Sequence, residues 1–513
     1  VERVLGMVDS VLLLVDAVEG VMPQTRFVLR KALEHGLRPI LVVNKIDRPE
    51  QRAEQVLDEV FDLLIELGAN DTQLDFSVVY ASAKQRAARR TLEEPLSDLA
   101  PVLDTIIECA PPPRVDREGP LQFQAVTLSY DEFVGRLVIG RVERGVLKRG
   151  KIVVRVPADG PPESFRVTKL FGTRGIERVE RESAEAGDIV ILAGVDSIEI
   201  GDTICDVATP EPLPRITIDP PTIRVQFSVN TSPFAGRDGR FLTSRQISER
   251  LEREALSNVS IRLEDTGQRD TFAVAGRGEL QIAVLIETLR REGYEFSVSR
   301  PEIIVREIDG RKCEPVEDVV IEVPERCAGS VMEKLGSRKG RMITMDHVGA
   351  SIQLRYVVPT RSLFGYRSEF LTDTRGEGTL YSTVKGYEPY AGDLEGRKVG
   401  AIVASHTGQT TPHAIFKIQE RSTLFVPPGV AVYEGQVVGE SRRAGDMNVN
   451  VCRQKKLDNM RAAGRDDNPI ITPHHRVIIE TALEWIEPDE LLEVTPESLR
   501  LRKKILPWRF RKR

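Results

Sequence analysis

The first hundred residues alternate continuous apolar runs with amphipathic segments, an order that few folds can accommodate. The apolar runs are Ser10–Ala17, Arg38–Asn44 and Phe76–Ala83. The segments with helical periodicity are Gln24–Gly36, Glu50–Gly68 and Leu96–Ala110. Strands that are covered on both faces read as unbroken apolar runs and occur mainly in parallel sheets. Three strand–helix units in series therefore predict a right-handed parallel α/β sheet over residues 1–112.

The rest of the chain is predicted to form four more domains, because 513 residues exceed what a single core supports. Short strands separated by glycine turns over residues 119–214 predict a small antiparallel β-barrel. Residues 220–307 and 315–392 each show the element order β-α-β-β-α-β of a ferredoxin-like split unit. Residues 396–513 are predicted to be mainly β. The predicted fold class is thus multidomain, with α/β and α+β parts.

Composition argues against several classes of protein. Hydrophobic residues make up 41% of the chain and charged residues 29%, as in ordinary globular proteins, and no apolar run approaches the roughly 18 residues of a membrane helix. The net charge of −6 gives no overall attraction to nucleic acid, so RNA contacts must come from local patches and DNA binding is not expected. The five cysteines form no CxxC pair and the six histidines no zinc-type spacing. This favours a cytoplasmic protein without disulfides or a metal site.

The clearest chemical signal is the tetrapeptide Asn44-Lys45-Ile46-Asp47, which ends the second apolar run. The Asp47 carboxylate can accept hydrogen bonds from N1–H and the exocyclic amine of guanine, while the Asn44 amide meets the O6/N7 edge. Adenine lacks that amine and would leave the carboxylate unpaired. The Lys45 stem would flank the base. Because parallel sheets bind ligands at the carboxyl ends of their strands, the motif predicts a guanine site.

A second motif, Ser82-Ala83-Lys84, ends the third apolar run 35 residues beyond Asp47. In GTPases a backbone N–H of such a loop reaches guanine O6. The predicted guanine-binding residues are therefore Asn44, Lys45, Asp47, Ser82, Ala83 and Lys84. The phosphate loop GxxxxGK[ST] does not occur in the 513 residues. With a start at Val1-Glu2-Arg3, this predicts an N-terminally truncated GTPase domain that hydrolyses little or no GTP, and no catalytic residue is assigned.

Three local patches of positive charge stand out against the negative overall charge. The last fourteen residues, Arg500–Arg513, contain eight Lys or Arg, no acid and two aromatic residues. This pattern fits a solvated tail as well as an RNA contact that combines phosphate neutralisation with stacking. The loop 453–461 and the cluster around Lys334 are also basic. The candidate RNA-contact residues are Lys334, Arg338, Lys339, Lys455, Lys456, Asn459, Arg461, Arg502, Lys503 and Lys504.

Several stretches resemble the TypA/BipA family of ribosome-associated translational GTPases. They are Val229–Phe234, Ser299–Pro301, Phe364–Phe370, Val432–Gln436 and Lys455–Arg461. The opening, from Val1 to Thr25, is similar to the stretch that follows the DxxG motif in these GTPases. The two split units resemble the third and fifth domains of elongation factor G, but the short connection leaves no room for a domain between them. The segment Ser362-Leu363-Phe364 departs from the family's usual glycine-leucine-isoleucine.

The resemblance implies a GTPase that binds GTP, GDP and Mg²⁺ and associates with the bacterial ribosome, as the 70S particle or the large subunit. It further implies contact with ribosomal RNA and A-site tRNA, and a link to stress adaptation and large-subunit assembly. The ligands for Mg²⁺ would lie in the part of the GTPase domain that is missing here. A monomer is expected. The alternative is a non-catalytic ribosome-binding or RNA-binding protein that uses the domains after residue 119.

Overall fold

The computed structural model describes residues 2–113, 115–131, 133–157, 160–195, 197–215, 221–258, 260–348, 351–394, 397, 399–454 and 470–511. The chain divides into two compact units. The first comprises residues 1–218 together with 256–258, and the second comprises residues 219–255 and 259–513. Within the described ranges, no helix combines the length and the apolar character that crossing a membrane requires.

The first unit begins with a sheet in which three parallel strands lie side by side. The strands are β1 (Ser10–Asp16), β2 (Arg38–Asn44) and β3 (Ser77–Ser82), in the order 1-2-3, with β4 (Ala87–Arg89) antiparallel to β3. The helices are α1 (Glu2–Leu5), α2 (Pro23–Glu34), α3 (Ala53–Glu66), α4 (Asp71–Leu74) and α5 (Ala100–Cys109). The predicted parallel sheet is confirmed. The β3–β4 hairpin was not predicted, and α5 begins four residues later than expected.

Burial explains why this sheet forms. The five central residues of β2 are all buried, as expected for a strand that is covered on both faces. The apolar stripe of α3, which includes Val56, Val60 and Leu64, packs with Leu41 and Val43 of β2 in one core. Helix α3 thus packs against one face of the sheet beside β2.

The second part of the first unit consists of antiparallel strands. They are β5 (Gln122–Asp131), β6 (Gly135–Arg144), β7 (Val146–Lys148), β8 (Ile152–Val156), β9 (Glu163–Arg166), β10 (Lys169–Arg174), β11 (Glu177–Glu180), β12 (Ser183–Glu185), β13 (Ile189–Ala193) and β14 (Thr203–Cys205). Eight of them form a sheet in the order 11-10-13-6-5-14-8-9, and β12 pairs with β7. Gly145 joins β6 to β7 at φ +76°, and a Cβ there would lie 2.6 Å from the Gly119 carbonyl oxygen, so only glycine fits.

The second unit starts with the predicted order β-α-β-β-α-β. Its elements are β15 (Ile223–Ser228), α6 (Ser244–Ser257), β16 (Arg262–Glu264), β17 (Thr271–Gly276), α7 (Glu279–Glu292) and β18 (Phe296–Ser299). The short strands β19 (Glu302–Ile303) and β20 (Arg306–Ile308) follow. The sheet order is 16-17-15-18, so the strands before and after α6 are separated by β17, as in a split unit.

The same order recurs in the next segment. The elements are β21 (Arg311–Pro324), α8 (Glu325–Ser337), β22 (Arg341–Val348), β23 (Ser351–Pro359), a 3₁₀ helix (Thr360–Leu363), α9 (Tyr366–Asp373) and β24 (Thr379–Pro389). Strand β21 lies between β23 and β24, and β22 pairs with β23. Gly365, at φ +73°, separates the 3₁₀ helix from α9.

The last segment is rich in strands. Its elements are β25 (Ala401–Ala404), β26 (Gly408–Gln409), α10 (Pro412–Gln419), β27 (Ser422–Leu424), β28 (Ala431–Val432), β29 (Gln436–Ser441), β30 (Met447–Val449), α11 (Ile479–Trp485), β31 (Glu490–Val494), β32 (Leu499–Lys503) and a 3₁₀ turn (Trp508–Phe510). Strand β31 pairs antiparallel with β18. One sheet therefore runs through segments that the sequence analysis treated as separate domains.

Candidate functional site

The candidate site lies where the three parallel strands of the first unit end. Asp16, Asn44 and Ala81 are aligned across β1, β2 and β3 in the sheet register. Directly after β2, Lys45 adopts the left-handed conformation at φ +68°. Such a conformation costs a non-glycine residue of the order of 1–3 kcal/mol and is often found at functional sites. The sheet thus brings together the residues that the two sequence motifs named.

The Asp47 carboxylate is fixed by the third strand. The Ser82 hydroxyl, which is fully buried, donates to Asp47 Oδ1 at 2.7 Å. The Gln85 backbone N–H donates to the same Ser82 oxygen at 3.3 Å. The Ser82 hydrogen bond lowers the pKa of Asp47 below its ordinary value, helped by the positive charges of Lys84 and Arg48. Asp47 is therefore an oriented, ionised hydrogen-bond acceptor.

Asn44 connects the two motifs. Its side-chain Oδ1 accepts a hydrogen bond from the Ala83 backbone N–H at 3.0 Å. The sequence predicts that a backbone N–H of this loop reaches guanine O6, and the Ala83 N–H belongs to this loop. In the structure the Asn44 amide oxygen takes the place of that carbonyl, so base binding would require Asn44 to release the Ala83 N–H. Ala83 and Lys84 are exposed at the same edge.

Lys45 is held by an acid that the sequence analysis did not identify. Its ammonium forms an ion pair with Asp16 Oδ2 at the end of β1. Asp16 Oδ1 also accepts from the Val18 N–H at 2.9 Å. Burial would raise the pKa of Asp16, but the Lys45 contact and the backbone N–H groups outweigh it and lower the pKa. Asp16 is an acidic residue at the end of β1, the strand next to the one that the NKxD motif follows. This position is the sequence signal that could have indicated that Asp16 holds Lys45.

The arrangement can recognise a base by hydrogen bonding, with Asp47 as acceptor, Asn44 as amide and the Lys45 stem beside them. A metal centre has less support. In the ranges that the structure describes, no three His, Cys, Asp or Glu side chains come close enough together to hold a metal ion.

Comparison with known proteins gives four matches to described domains. Residues 1–112 match the Elongation factor Tu GTP binding domain, and residues 135–205 match Elongation factor Tu domain 2. Residues 311–398 match the Elongation factor G C-terminus. Residues 399–507 match the TypA/BipA C-terminal domain.

Whole-chain relatives decide the family. The Large ribosomal subunit assembly factor BipA of Bacillus subtilis is 50% identical over 508 residues, which cover 99% of this chain and 83% of the relative. The chain belongs to the TypA/BipA family. Proteins of the same name from Haemophilus influenzae and Escherichia coli K12 are 48% and 47% identical over 515 residues, covering all of this chain and 84% and 85% of theirs. As a TypA/BipA member, the chain carries a translational GTPase domain at residues 1–112.

Two of the basic residues singled out in this TypA/BipA chain make internal contacts around α8. Lys334 pairs with Glu369 and Asp373 of α9. Arg338 donates to the Ser362 and Phe364 carbonyl oxygens at 2.9 and 3.0 Å, which ties the end of α8 to the segment that departs from the family pattern. Lys339, at φ +66°, is exposed.

The prediction that Arg502 and Lys503 contact RNA is wrong as to their placement, since both side chains are only 2% exposed. They belong to β32, which lies between β31 and β29 inside the sheet of this TypA/BipA chain. The Lys503 ammonium contacts Asp489 and Glu490 at 2.9 and 2.8 Å. Lys503 thus helps to neutralise the buried Glu490 carboxylate. Lys504 is exposed, whereas Lys455, Lys456, Asn459 and Arg461 lie outside the described residues.

Proposed function

We propose that this chain binds GTP and GDP at the edge of the parallel sheet and acts as a ribosome-associated GTPase. The observation that carries the proposal is the Asp47 carboxylate, kept ionised and oriented by the buried Ser82 hydroxyl. That carboxylate would accept from N1–H and the exocyclic amine of guanine, a pair of donors that adenine lacks. A site built to receive both hydrogen bonds can discriminate by a factor of the order of 10⁴.

The remaining motif residues would complete the contact with the base. Asn44 would face the O6/N7 edge, and its release of the Ala83 N–H would provide a donor for O6. The Lys45 stem would lie along the base plane, its ammonium held by Asp16. Ser82 acts through Asp47, and Lys84 adds positive charge at the exposed edge. These roles require no movement of the sheet itself.

GTP hydrolysis requires groups that neutralise the β- and γ-phosphates and a positioned water molecule. Mg²⁺ would accompany the phosphates of the nucleotide, and no described residue is assigned to it. Because the 513 residues contain no phosphate loop, we expect these residues alone to hydrolyse GTP slowly or not at all. A single-turnover assay with added ribosomes measures this, and rapid phosphate release would contradict it.

The partner we propose is the bacterial ribosome, in particular the large subunit. Support comes from the relatives, which are named large ribosomal subunit assembly factors. The exposed Lys339 and Lys504, with Lys455, Lys456, Asn459 and Arg461, are the proposed contacts to ribosomal RNA or A-site tRNA. We further propose a cytoplasmic monomer that acts in ribosome assembly under stress.

The base specificity can be tested by exchanging one oxygen for nitrogen. In Asp47→Asn, the amide N–H₂ suits xanthine, which carries a carbonyl where guanine carries its amine. We expect affinity for GDP to fall at least tenfold and affinity for xanthosine diphosphate to rise, measured by displacement of a fluorescent nucleotide. Asp62→Asn, on the exposed face of α3, should change neither. Equal affinity of the wild type for GDP and ADP would refute the guanine site.

The alternative of a non-catalytic ribosome-binding protein predicts a different result. Its binding would depend on residues after 119 and would be indifferent to nucleotide. Pelleting with ribosomes in the presence of GDP, a GTP analogue or no nucleotide separates the two. Pelleting that is equal under all three conditions, and unchanged by Asp47→Asn, would favour the alternative.

A further inference from the structure

The chain's last described segment presents three apolar side chains to solvent. Ile505, Trp508 and Phe510 are 50%, 45% and 73% exposed, directly after a strand whose last three residues are buried. Single exposed apolar residues are ordinary on protein surfaces. Two aromatic rings on one exposed three-residue turn, however, contribute little to the core and call for another explanation.

The turn Trp508–Phe510 is anchored to the last domain rather than left as a solvated tail. The Trp508 N–H donates to Glu434 Oε1 at 3.2 Å, and the Phe510 N–H closes the 3₁₀ turn on the Pro507 carbonyl at 3.1 Å. The Arg511 guanidinium donates to Asn448 Oδ1 at 3.0 Å and to the Leu506 carbonyl at 2.6 Å. An anchored turn presents its rings at low cost in conformational entropy, which favours binding.

Exposed cations lie beside the two rings in the sequence, and the Glu434 carboxylate accepts from the Trp508 N–H. Lys504 and Arg509 are exposed, and the Arg509 guanidinium lies 5.9 Å from the Trp508 ring centroid. The sequence continues with Lys512 and Arg513, and no acid occurs from Arg500 onwards. Because the chain as a whole carries a charge of −6, this concentration of cations is local.

We infer that the turn Trp508–Phe510 and the cations beside it form a stacking site for unpaired bases of RNA. The inference rests on the proposed association with the ribosome. Each ring would receive the face of one base, a contact worth about 1–3 kcal/mol. Lys504 and Arg509 would lie against the flanking phosphates. Unpaired bases are also the part of RNA that proteins read most readily, because their faces are accessible.

Charge and size favour RNA over the other partners that such a patch could suit. A membrane anchor buries a long apolar face of an amphipathic helix, whereas this turn offers two rings and one isoleucine. A protein partner would require depletion of charge at the centre of the interface. Here the cations alternate with the rings in the sequence, which suits a polymer in which bases alternate with phosphates.

The direct test uses the fluorescence of Trp508. The chain has two tryptophans, Trp485 and Trp508, so the difference between the wild type and Trp508→Phe isolates the emission of Trp508. Titration with a single-stranded 12-nucleotide oligoadenylate should quench this emission. Inorganic polyphosphate, which carries charge without bases, should not. Equal quenching by polyphosphate, or no quenching by oligoadenylate, would overturn the inference.

Variants distinguish base stacking from binding to phosphate. Their affinity is measured by fluorescence anisotropy with a labelled form of the same oligoadenylate. Trp508→Ala and Phe510→Ala should each weaken binding by about tenfold, within the range of roughly 5- to 150-fold expected for one stacked base. Trp508→Phe keeps an aromatic face and should retain most of the affinity. Lys504→Gln with Arg509→Gln should lower affinity and reduce the slope of log K against log salt by about 1.4, that is 0.7 for each of two phosphates.

Further variants and measurements serve as controls for the assignment of RNA binding to the turn Trp508–Phe510. Phe133→Ala removes a 97% exposed ring elsewhere and should leave the affinity unchanged; a similar loss there would overturn the assignment to this turn. Unaltered binding by Trp508→Ala would also overturn it. So would a blue shift of Trp508 with anionic phosphatidylglycerol vesicles but not with RNA. Thermal unfolding should be unchanged in Trp508→Ala, because the ring is exposed.

Failure of the inference can be told apart from failure of the proposed function. Pelleting with purified large ribosomal subunits tests the proposed function, and oligonucleotide binding tests the turn. Subunit binding by both the wild type and Trp508→Ala, without oligonucleotide binding, overturns the inference and leaves the proposed function intact. Oligonucleotide binding that depends on Trp508, without subunit binding, supports the inference and counts against the proposed function.

Discussion

In the second unit, β31 pairs with β18 and so joins the last segment of the chain to the sheet of the first split unit. Removing one buried hydroxyl beside this pairing should destabilise the unit. Glu493, on β31, is fully buried and accepts four hydrogen bonds. Asn230, Ser232 and Arg500 donate to its Oε1 at 3.1, 2.9 and 3.0 Å. The Tyr433 hydroxyl donates to Oε2 at 2.5 Å. Tyr433→Phe therefore removes the donor to one oxygen and leaves the rest of the network in place.

The structure fixes the expected size of this effect. Tyr433 is 0% exposed, and its ring packs edge-on against Phe234 with centroids 5.0 Å apart, a contact that phenylalanine retains. The loss is then confined to a hydrogen bond between buried groups, one of them a carboxylate. Hydrogen bonds to charged groups contribute about 1.5–3 kcal/mol, and a carboxylate oxygen left without its donor pushes the cost towards the upper end. We expect a loss of about 2–3 kcal/mol in the unfolding free energy.

Urea unfolding followed by tryptophan fluorescence is the suitable assay. Both tryptophans, Trp485 and Trp508, belong to the second unit, so the signal reports on that unit. With an m-value of about 3 kcal/mol/M, the midpoint should fall by roughly 0.7–1 M. The matched control is Tyr390→Phe in the same unit, which removes an exposed hydroxyl hydrogen bond to Asp393 and should shift the midpoint by less than about 0.2 M.

One outcome would refute this reasoning. If Tyr433→Phe and Tyr390→Phe had the same midpoint, the hydrogen bond from Tyr433 to Glu493 would contribute nothing measurable to stability. The joint between β18 and β31 would then depend on backbone pairing and apolar packing alone. A change in m-value would instead indicate that the two segments unfold separately.

Three further predictions follow from single side chains. Ser82→Ala should weaken GDP binding about tenfold, because Asp47 loses its orienting donor, as measured by nucleotide displacement. Burial beside Glu484 raises the pKa of Glu279 to about 7, with Arg367 opposing the shift. Stability from this group is present at low pH and is lost between about pH 4.5 and 7. Glu279→Gln should therefore stabilise the second unit by about 2 kcal/mol at pH 8 and leave it unchanged at pH 4. Urea unfolding at the two pH values measures this difference. Lys503→Met removes one of the two cations at the buried Glu490, since Arg397 remains, and should cost about 1.5–3 kcal/mol in the same assay.

Each of these has a matched control on the same element or close to it. Ser77→Ala, at the other end of β3, should leave GDP affinity unchanged, and a comparable loss would contradict the role of Ser82. Glu302→Gln, an exposed carboxylate, should show no pH-dependent gain. Lys504→Met should cost less than about 0.5 kcal/mol. If Lys503→Met were equally mild, the buried ion pairs of β32 would not contribute to stability.

The sequence predicts best what depends on local periodicity. The unbroken apolar run of β2 predicted a strand covered on both faces, and that strand sets the motif residues at the edge of the sheet. The role of Asp16 was not predicted, because its partner lies on another strand and is reached only through the fold. Arg502 and Lys503 were expected on the surface because charge usually indicates exposure. The burial of Lys503 depends on carboxylates such as Glu490, and that of Arg502 on the hydroxyls of Thr231 and Ser297, which only the folded sheet brings beside them.

The pairing of β18 with β31 also lies beyond local pattern. The alternation of apolar and polar residues along a strand predicts which face is buried, but it does not predict which other strand pairs with each edge. About 190 residues separate Ser299 from Glu490, and nothing in either stretch records the other.

That separation has a consequence while the chain is being synthesised. At 5–20 residues per second, the edge of β18 emerges roughly 10–40 s before its neighbour β31 exists. During this interval Phe296 and Val298, both fully buried in the finished molecule, border an unpaired row of backbone donors and acceptors. Such an edge invites pairing with other nascent chains. The nascent chain must therefore keep this edge from aggregating until β31 has been synthesised.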